Sequence, residues 1–436
     1  MTNPDSPAAG SLWKAMDALR GDMAYGVGVG MVSVVALIGN LVAARHLAPQ
    51  EFGILQTLLL IPTYCSFLHL GVFNGLNRNI AFYSGQKNFE RVELMVSTSW
   101  SVARGVAALG FVLSVGLAAY YAWAGYPRLY ATGMIFVAAA LVCEPLSQHL
   151  EIVYLSTRNF AGLGKRLAWQ NLATFVGNLA PVVAGAAGFI VARVVYVGSR
   201  LAVRAWGVPV RPRGRGSVDE ARDLMVTGVP LLLIGTLYSY LGAADRTIIA
   251  CYMSPADLGH YALAGIAITA IQLVPFCIAT VAYPRMASAY GSSGSARALR
   301  RFFWPLLGST LLTVVAMASV LFVVLEPVVR TYLPAYQEGI GAAKMACVSS
   351  VAFVYISVAN IIAVVRRNTP YLVAHLVALG IVWLLGRELI HAGYGITGVV
   401  WGRTAGMGGL CLFSLCYAYY LTSERYERKL RHARTR

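Results

Sequence analysis

From residue 24 to residue 421 this chain is a succession of long apolar stretches separated by short polar breaks. A helix needs about 20 apolar residues to cross the hydrocarbon core of a bilayer. About twelve segments qualify: 24–44, 54–74, 95–121, 131–150, 167–184, 188–206, 224–244, 258–282, 302–325, 342–364, 370–390 and 396–421. Composition agrees. The chain is 58% hydrophobic and 12% charged, whereas a soluble chain carries about 25% charged residues. The pattern predicts an all-α, polytopic membrane protein. Its least secure division lies in 167–206, which holds two spans only if Gly185-Ala186-Ala187-Gly188 makes a tight turn.

The formal net charge is +17, and topology explains it better than nucleic acid does. Basic residues collect in cytoplasmic loops. With loops assigned alternately from an inside start, only Arg45, Arg128, Arg246, Arg330, Lys344 and Arg387 fall outside. Nearly all other Lys and Arg fall inside, so both termini are predicted to face the cytoplasm. The segment 1–23 precedes the first span, and Leu12, Met16, Leu19 and Met23 share one face of an interfacial helix over 11–23. Residues 422–436 form a basic tail suited to anionic lipid. No cleavable signal peptide is evident. The seven cysteines lie in or beside apolar segments without metal-type spacing. Neither a metal nor another cofactor is expected.

A repeat organises the spans. Pro49-x-Glu51-x-Gly53 recurs as Pro255-x-Asp257-x-Gly259, and in the same register Ala81, Gly85 and Arg91 meet Ala287, Gly291 and Arg297. Near the end of each half, Gly185, Gly188, Arg193 and Gly198 meet Gly395, Gly398, Arg403 and Gly408. The expected layout is a six-helix lobe at 24–206, a Pro/Gly/Arg-rich cytoplasmic linker at 207–223 and a second six-helix lobe at 224–421. An even number of spans per half makes the repeat parallel. In each copy of the turn, proline and glycine supply the backbone angles and the acid caps the next helix. Two matched lobes suit rocking about a central site, as in transporters.

Enzymatic readings find little support. The stretch AGLGKR at 161–166 lacks the earlier glycine and the Ser/Thr of a nucleotide-binding loop. No nucleophile elbow or zinc motif stands out. The longest outer loop, around 326–341, is short for a polymerase or ligase.

Ionisable groups inside spans are costly and mark candidate sites. Arg104, Arg193 and Arg403 have no sequence-local acid, and arginine binds phosphate bidentately. They are candidate lumen residues for an anionic group. The alternative is bonding to backbone carbonyls or to Glu144. Glu144, beside Pro145, is a candidate ion-coupling site, and so is Asp245. For Asp245-Arg246 and Arg387-Glu388 an interfacial pair is the simpler reading, and Glu326 and Arg330 are spaced to pair along a helix. His375, Asn74 and Asn77 read as packing or capping groups.

The run at 243–291 resembles oligosaccharide flippases of the multidrug/oligosaccharidyl-lipid/polysaccharide exporter superfamily. The features shared with that pattern are Asp245, Leu258-Gly259-His260-Tyr261 and Pro284, and the stretch ARHLAPQEFGILQ at 44–56. The resemblance implies a non-enzymatic transporter in a bacterial inner (plasma) membrane. It would move undecaprenyl-diphosphate-linked oligosaccharide from the inner to the outer leaflet, for O-antigen, capsule or exopolysaccharide assembly. Membrane lipids, a glycan polymerase and a chain-length protein are the implied partners. An ion-coupled drug antiporter of the same superfamily is the alternative, though such a protein wants buried carboxylates rather than arginines.

Overall fold

The computed structural model describes all residues except 1–6, 158, 159, 211, 213–215 and 427–436. Most of the basic tail therefore lies outside the described residues, as do Arg211, Arg213 and Arg215 of the linker. The described residues form fourteen α-helices, a few short 3-10 turns and no strand. In chain order the helices are α1 (Pro7–His46), α2 (Pro49–Cys65), α3 (Val72–Gly85), α4 (Phe89–Trp123), α5 (Arg128–Ser156), α6 (Phe160–Gly177) and α7 (Ala180–Ala205). There follow α8 (Val218–Tyr252), α9 (Pro255–Ser293), α10 (Arg300–Tyr332), α11 (Ile340–Ser349), α12 (Tyr355–Val365), α13 (Thr369–His391) and α14 (Gly395–Leu421).

Eleven stretches among the described residues are long and apolar enough to span a membrane. The expected span at 167–184 is the exception. It corresponds to α6, whose 18 residues include Lys165, Arg166, Gln170 and Asn171. The amphipathic segment at 11–23 is no separate helix, because α1 runs through it unbroken. The chain reverses at Ala184-Gly185, at the edge of the expected turn, so that Gly188 lies back against the Ala180 carbonyl. Helix α6 ends at Gly177, and α7 is broken by non-helical angles at Ala184 and Gly185, the latter with φ +50°. Gly395, its partner in the repeat, has φ +56° at the start of α14. A side chain rarely adopts that backbone region, so the two glycines mark the same turn in each half.

Two compact units emerge, one of residues 1–47 and 58–236, the other of residues 48–57 and 237–436. In the first unit, α4 packs along α5, α1 along α6, and α7 against α5 and α6. Its core includes Phe73, Leu76, Ile80, Met95, Val96, Val153 and Leu224. In the second unit, α13 lies along α14, and α9, α11 and α12 pack together. Its core includes Met286, Leu299, Val358, Ile361, Ile362 and Ala418.

The repeated turn is explained in the second unit. A methyl group at Gly53 would overlap the carbonyl of Pro255, and one at Gly259 would overlap the carbonyl of Pro49. The two copies of Pro-x-acid-x-Gly thus lie against each other, glycine facing the opposite proline. Both acids cap their helices. Ala48 N–H donates to Glu51 Oε2 at 3.3 Å. Ser254 N–H donates to Asp257 Oδ2 at 2.9 Å, and Asp257 N–H donates to Ser254 Oγ at 3.3 Å, a reciprocal capping box.

Candidate functional site

Within the first unit a cavity of about 330 Å³ opens between α2, α4, α5 and α7. Pro62 in α2 and Pro145 in α5 border it. Each removes a backbone donor from its helix interior. Apolar walls come from Leu59, Val106, Phe136, Ala140 and Leu141, and polar groups from Thr63, Ser66, His69, Glu144, Gln148, Arg193 and Tyr196.

Arg193 is the cation of this cavity. Its Nη2 donates to Asn40 Oδ1 at 2.6 Å, and its guanidinium carbon sits 4.7 Å from the centroid of the Phe189 ring. Among the described residues no carboxylate forms an ion pair with it. The cavity's own carboxylate is engaged elsewhere, because Glu144 Oε2 accepts from Arg200 Nη1 at 2.5 Å. Arg200 Nη2 also donates to Glu151 Oε2 at 3.2 Å, and Arg204 Nε donates to that same oxygen at 3.0 Å. Arg204 Nη1 donates to Gln170 Oε1 at 2.7 Å. Two acids thus balance Arg200 and Arg204, and the surplus positive charge resides on Arg193. An unpaired guanidinium away from bulk water is costly, and an entering anion would offset that cost.

Arg403 differs. Its Nη1 donates to Asp245 Oδ2 at 2.7 Å, and the two side chains are only 5% and 3% exposed. The Tyr261 hydroxyl donates to the same oxygen at 2.6 Å, and Arg246 N–H donates to Asp245 Oδ1 at 2.8 Å. Asp245 therefore forms a buried pair with Arg403, and the expected interfacial pair with Arg246 is replaced. Helices α8, α9 and α14 are tied together by this closed group. Each half thus joins its late arginine to a polar side chain on its first long helix. The first half uses neutral Asn40 and the second uses anionic Asp245.

Arg104 departs from the expectation of a buried group. It is exposed on α4 and does not line the cavity that holds Arg193. Glu326 does pair with Arg330, at 2.8 Å, and with Lys344. The guanidinium of Arg387 lies 6.0 Å from the ring centroid of Tyr252. His375 is buried and its Nδ1 lies 2.9 Å from the Tyr371 carbonyl oxygen, in keeping with a packing role. Sequence reasoning placed Arg200 and Arg204 with the inside loops and passed over Glu151. A heptad signal was available. Glu144 and Glu151 on α5, and Arg193 and Arg200 on α7, each lie seven residues apart and so share a helix face.

A sequence model of the family described as "Polysaccharide biosynthesis protein" matches residues 42–337. No curated protein matches the chain. Solved structures do. A multidrug resistance MATE family transporter of the MOP superfamily, in an inward-facing conformation, aligns with TM-score 0.65 and 13% identity over 90% of this chain and 97% of its own. The lipid II flippase MurJ in an inward closed conformation aligns with TM-score 0.66 and 12% identity over 91% of this chain and 87% of its own. A MOP superfamily transporter from Pyrococcus furiosus, described as having a binding pocket of reversed polarity, gives TM-score 0.63 and 11% identity over 92% and 94%.

Proposed function

Since this chain belongs to the polysaccharide biosynthesis protein family and has the fold of MOP transporters, we propose that it flips a saccharide carried on a polyprenyl diphosphate. The substrate class is undecaprenyl-diphosphate-linked oligosaccharide, moved from the inner to the outer leaflet of a bacterial plasma membrane by alternating access. Both termini are cytoplasmic in this reading, and a glycan polymerase takes up the product. The observation that carries it is Arg193, a guanidinium bonded to a neutral amide at the edge of a largely apolar cavity. A diphosphate is a concentrated anion. It needs a positive partner to leave water, and a guanidinium offers two parallel donors to it.

Arg403 contributes differently in this account. Its charge is already balanced by Asp245, so it stabilises the second half more than it attracts substrate. Arg104, exposed on α4, would meet the anion outside this cavity. Glu144 is the better placed of the two candidate coupling acids, since it lines the cavity and holds Arg200. Protonation of Glu144 would leave Arg200 paired with Glu151 alone and raise the local positive charge. The cation-exporting alternative gains little, because both candidate carboxylates are already paired with arginine.

Glycan export tests this reading. In cells whose own flippase is deleted, the wild-type chain should restore surface glycan. Arg193→Ala should lose most export and Arg193→Lys should keep part of it, both at normal membrane abundance. Full export by Arg193→Ala would remove this residue from the mechanism.

A further inference from the structure

A second basic cavity lies in the other unit, away from the residues just discussed. It is shallow, about 650 Å³, and forms between the end of α9 and the start of α10. Arg285, Ser288, Ser292 and Arg301 supply its polar lining, with Ala289 and Phe302 beside them. No acid lines it. Among the described residues neither arginine has an ion pair, and the one recorded contact of their guanidiniums is Arg301 over the ring of Phe302, at 4.9 Å. The neighbouring arginines are engaged. Arg297 pairs with Glu424 at 2.7 Å, and Arg300 donates to the Tyr419 hydroxyl at 2.9 Å.

Its depth along the helix is informative. At about 1.5 Å per residue, Arg285 lies roughly 45 Å along α9 from Pro255, and a bilayer with its headgroup layers is about 40–45 Å thick. Trp304, one turn into α10, is 60% exposed and lies 6.4 Å from Tyr419, ring to ring. Exposed tryptophan beside tyrosine is the side-chain signature of the membrane–water interface. The repeat does not impose the basic residues. In the first half the equivalent positions hold Asn79, Phe82, Gln86 and Met95.

We propose that this cavity binds the phosphate headgroup of an anionic membrane phospholipid. Arg285 and Arg301 face the phosphodiester from two helices. The Ser288 hydroxyl donates to its oxygens. The Ser292 hydroxyl, one turn on along α9, turns from the Ala289 carbonyl, to which it donates at 3.2 Å, to do the same. The acyl chains run down the apolar flank toward Trp304. Phosphatidylglycerol has this chemistry, and phosphatidylcholine lacks its net charge.

The test uses the full chain purified in detergent. Lipid retention is read by native mass spectrometry and thermal stability by melting, with phosphatidylglycerol, phosphatidylcholine or inorganic phosphate added. Phosphatidylglycerol should be retained and should raise the melting temperature; the other two should do neither. Each arginine near an anionic surface is worth a factor of about five in binding. Arg285→Gln/Arg301→Gln should therefore weaken phosphatidylglycerol binding roughly 25-fold, and Ser288→Ala/Ser292→Ala by less. These side chains are exposed, so the variants should fold. Equal retention by wild type and the arginine variant, or equal binding of phosphatidylcholine, would overturn the site. A full melting shift from inorganic phosphate alone would show a free-phosphate site instead and overturn the lipid assignment.

Discussion

Asp245 and Arg403 show what a buried guanidinium requires. The pair is nearly inaccessible, and the carboxylate also holds Tyr261. Removing one charge strands the other, at a cost of about 3–5 kcal/mol. Asp245→Asn should therefore lower the melting temperature and the folded yield, and adding Arg403→Gln should recover part of the loss. A fully stable Asp245→Asn variant would contradict a paired, buried Arg403. Arg193, bonded to neutral Asn40, should tolerate Arg193→Gln with little loss of stability. The cations at 193 and 403 were legible in the sequence, because charge within an apolar run stands out. The partner of Arg403 was not legible, since Asp245 lies 158 residues away and sits beside a nearer basic neighbour. Arg104 misled for another reason. On α4, Ala103, Ala107 and Gly110 turn inward, and a helix apolar on every side gives no hint which face that will be.

Among the elements, the capped ends of α2 and α9 carry the clearest imprint of the repeat. Proline opens each helix, an acid caps it, and glycine lets the other helix's backbone approach. Gly53→Ala and Gly259→Ala should each cost stability, by about 1–3 kcal/mol or more, because a methyl group there meets a carbonyl. Glu51→Gln and Asp257→Asn should cost about 1 kcal/mol each through the lost caps. Melting in detergent separates the two effects. Export at normal abundance should be unchanged in the cap variants, and loss of export there would assign the turn a direct role. The sequence displayed the turn twice and the capping role of its acids. It did not display that the two copies pack on one another, since contact between distant helices leaves no local periodicity. The reversal ahead of the last helix of the first half was legible, because paired glycines inside an apolar run mark a turn. Gly185, with φ +50°, is the turn residue that the glycine pattern predicts.

At the scale of the whole molecule, hydropathy alone gave the class, and the shared fold and family follow it. The topology proposed from basic residues has its own check. Reporter fusions at 215 and 436 should report the cytoplasm and one near 335 the outside; an outside carboxyl terminus would break the parallel repeat. Acceptance of a diphosphate by the cavity of the first unit, through Arg193, is measured in proteoliposomes. Translocation of a polyprenyl-diphosphate saccharide is compared with that of the same lipid saccharide lacking the diphosphate, for wild type and Arg193→Ala. Wild type should move only the diphosphate-bearing lipid, and Arg193→Ala should lose most of this transport. Equal transport of both lipids by wild type, or unimpaired transport by Arg193→Ala, would contradict it.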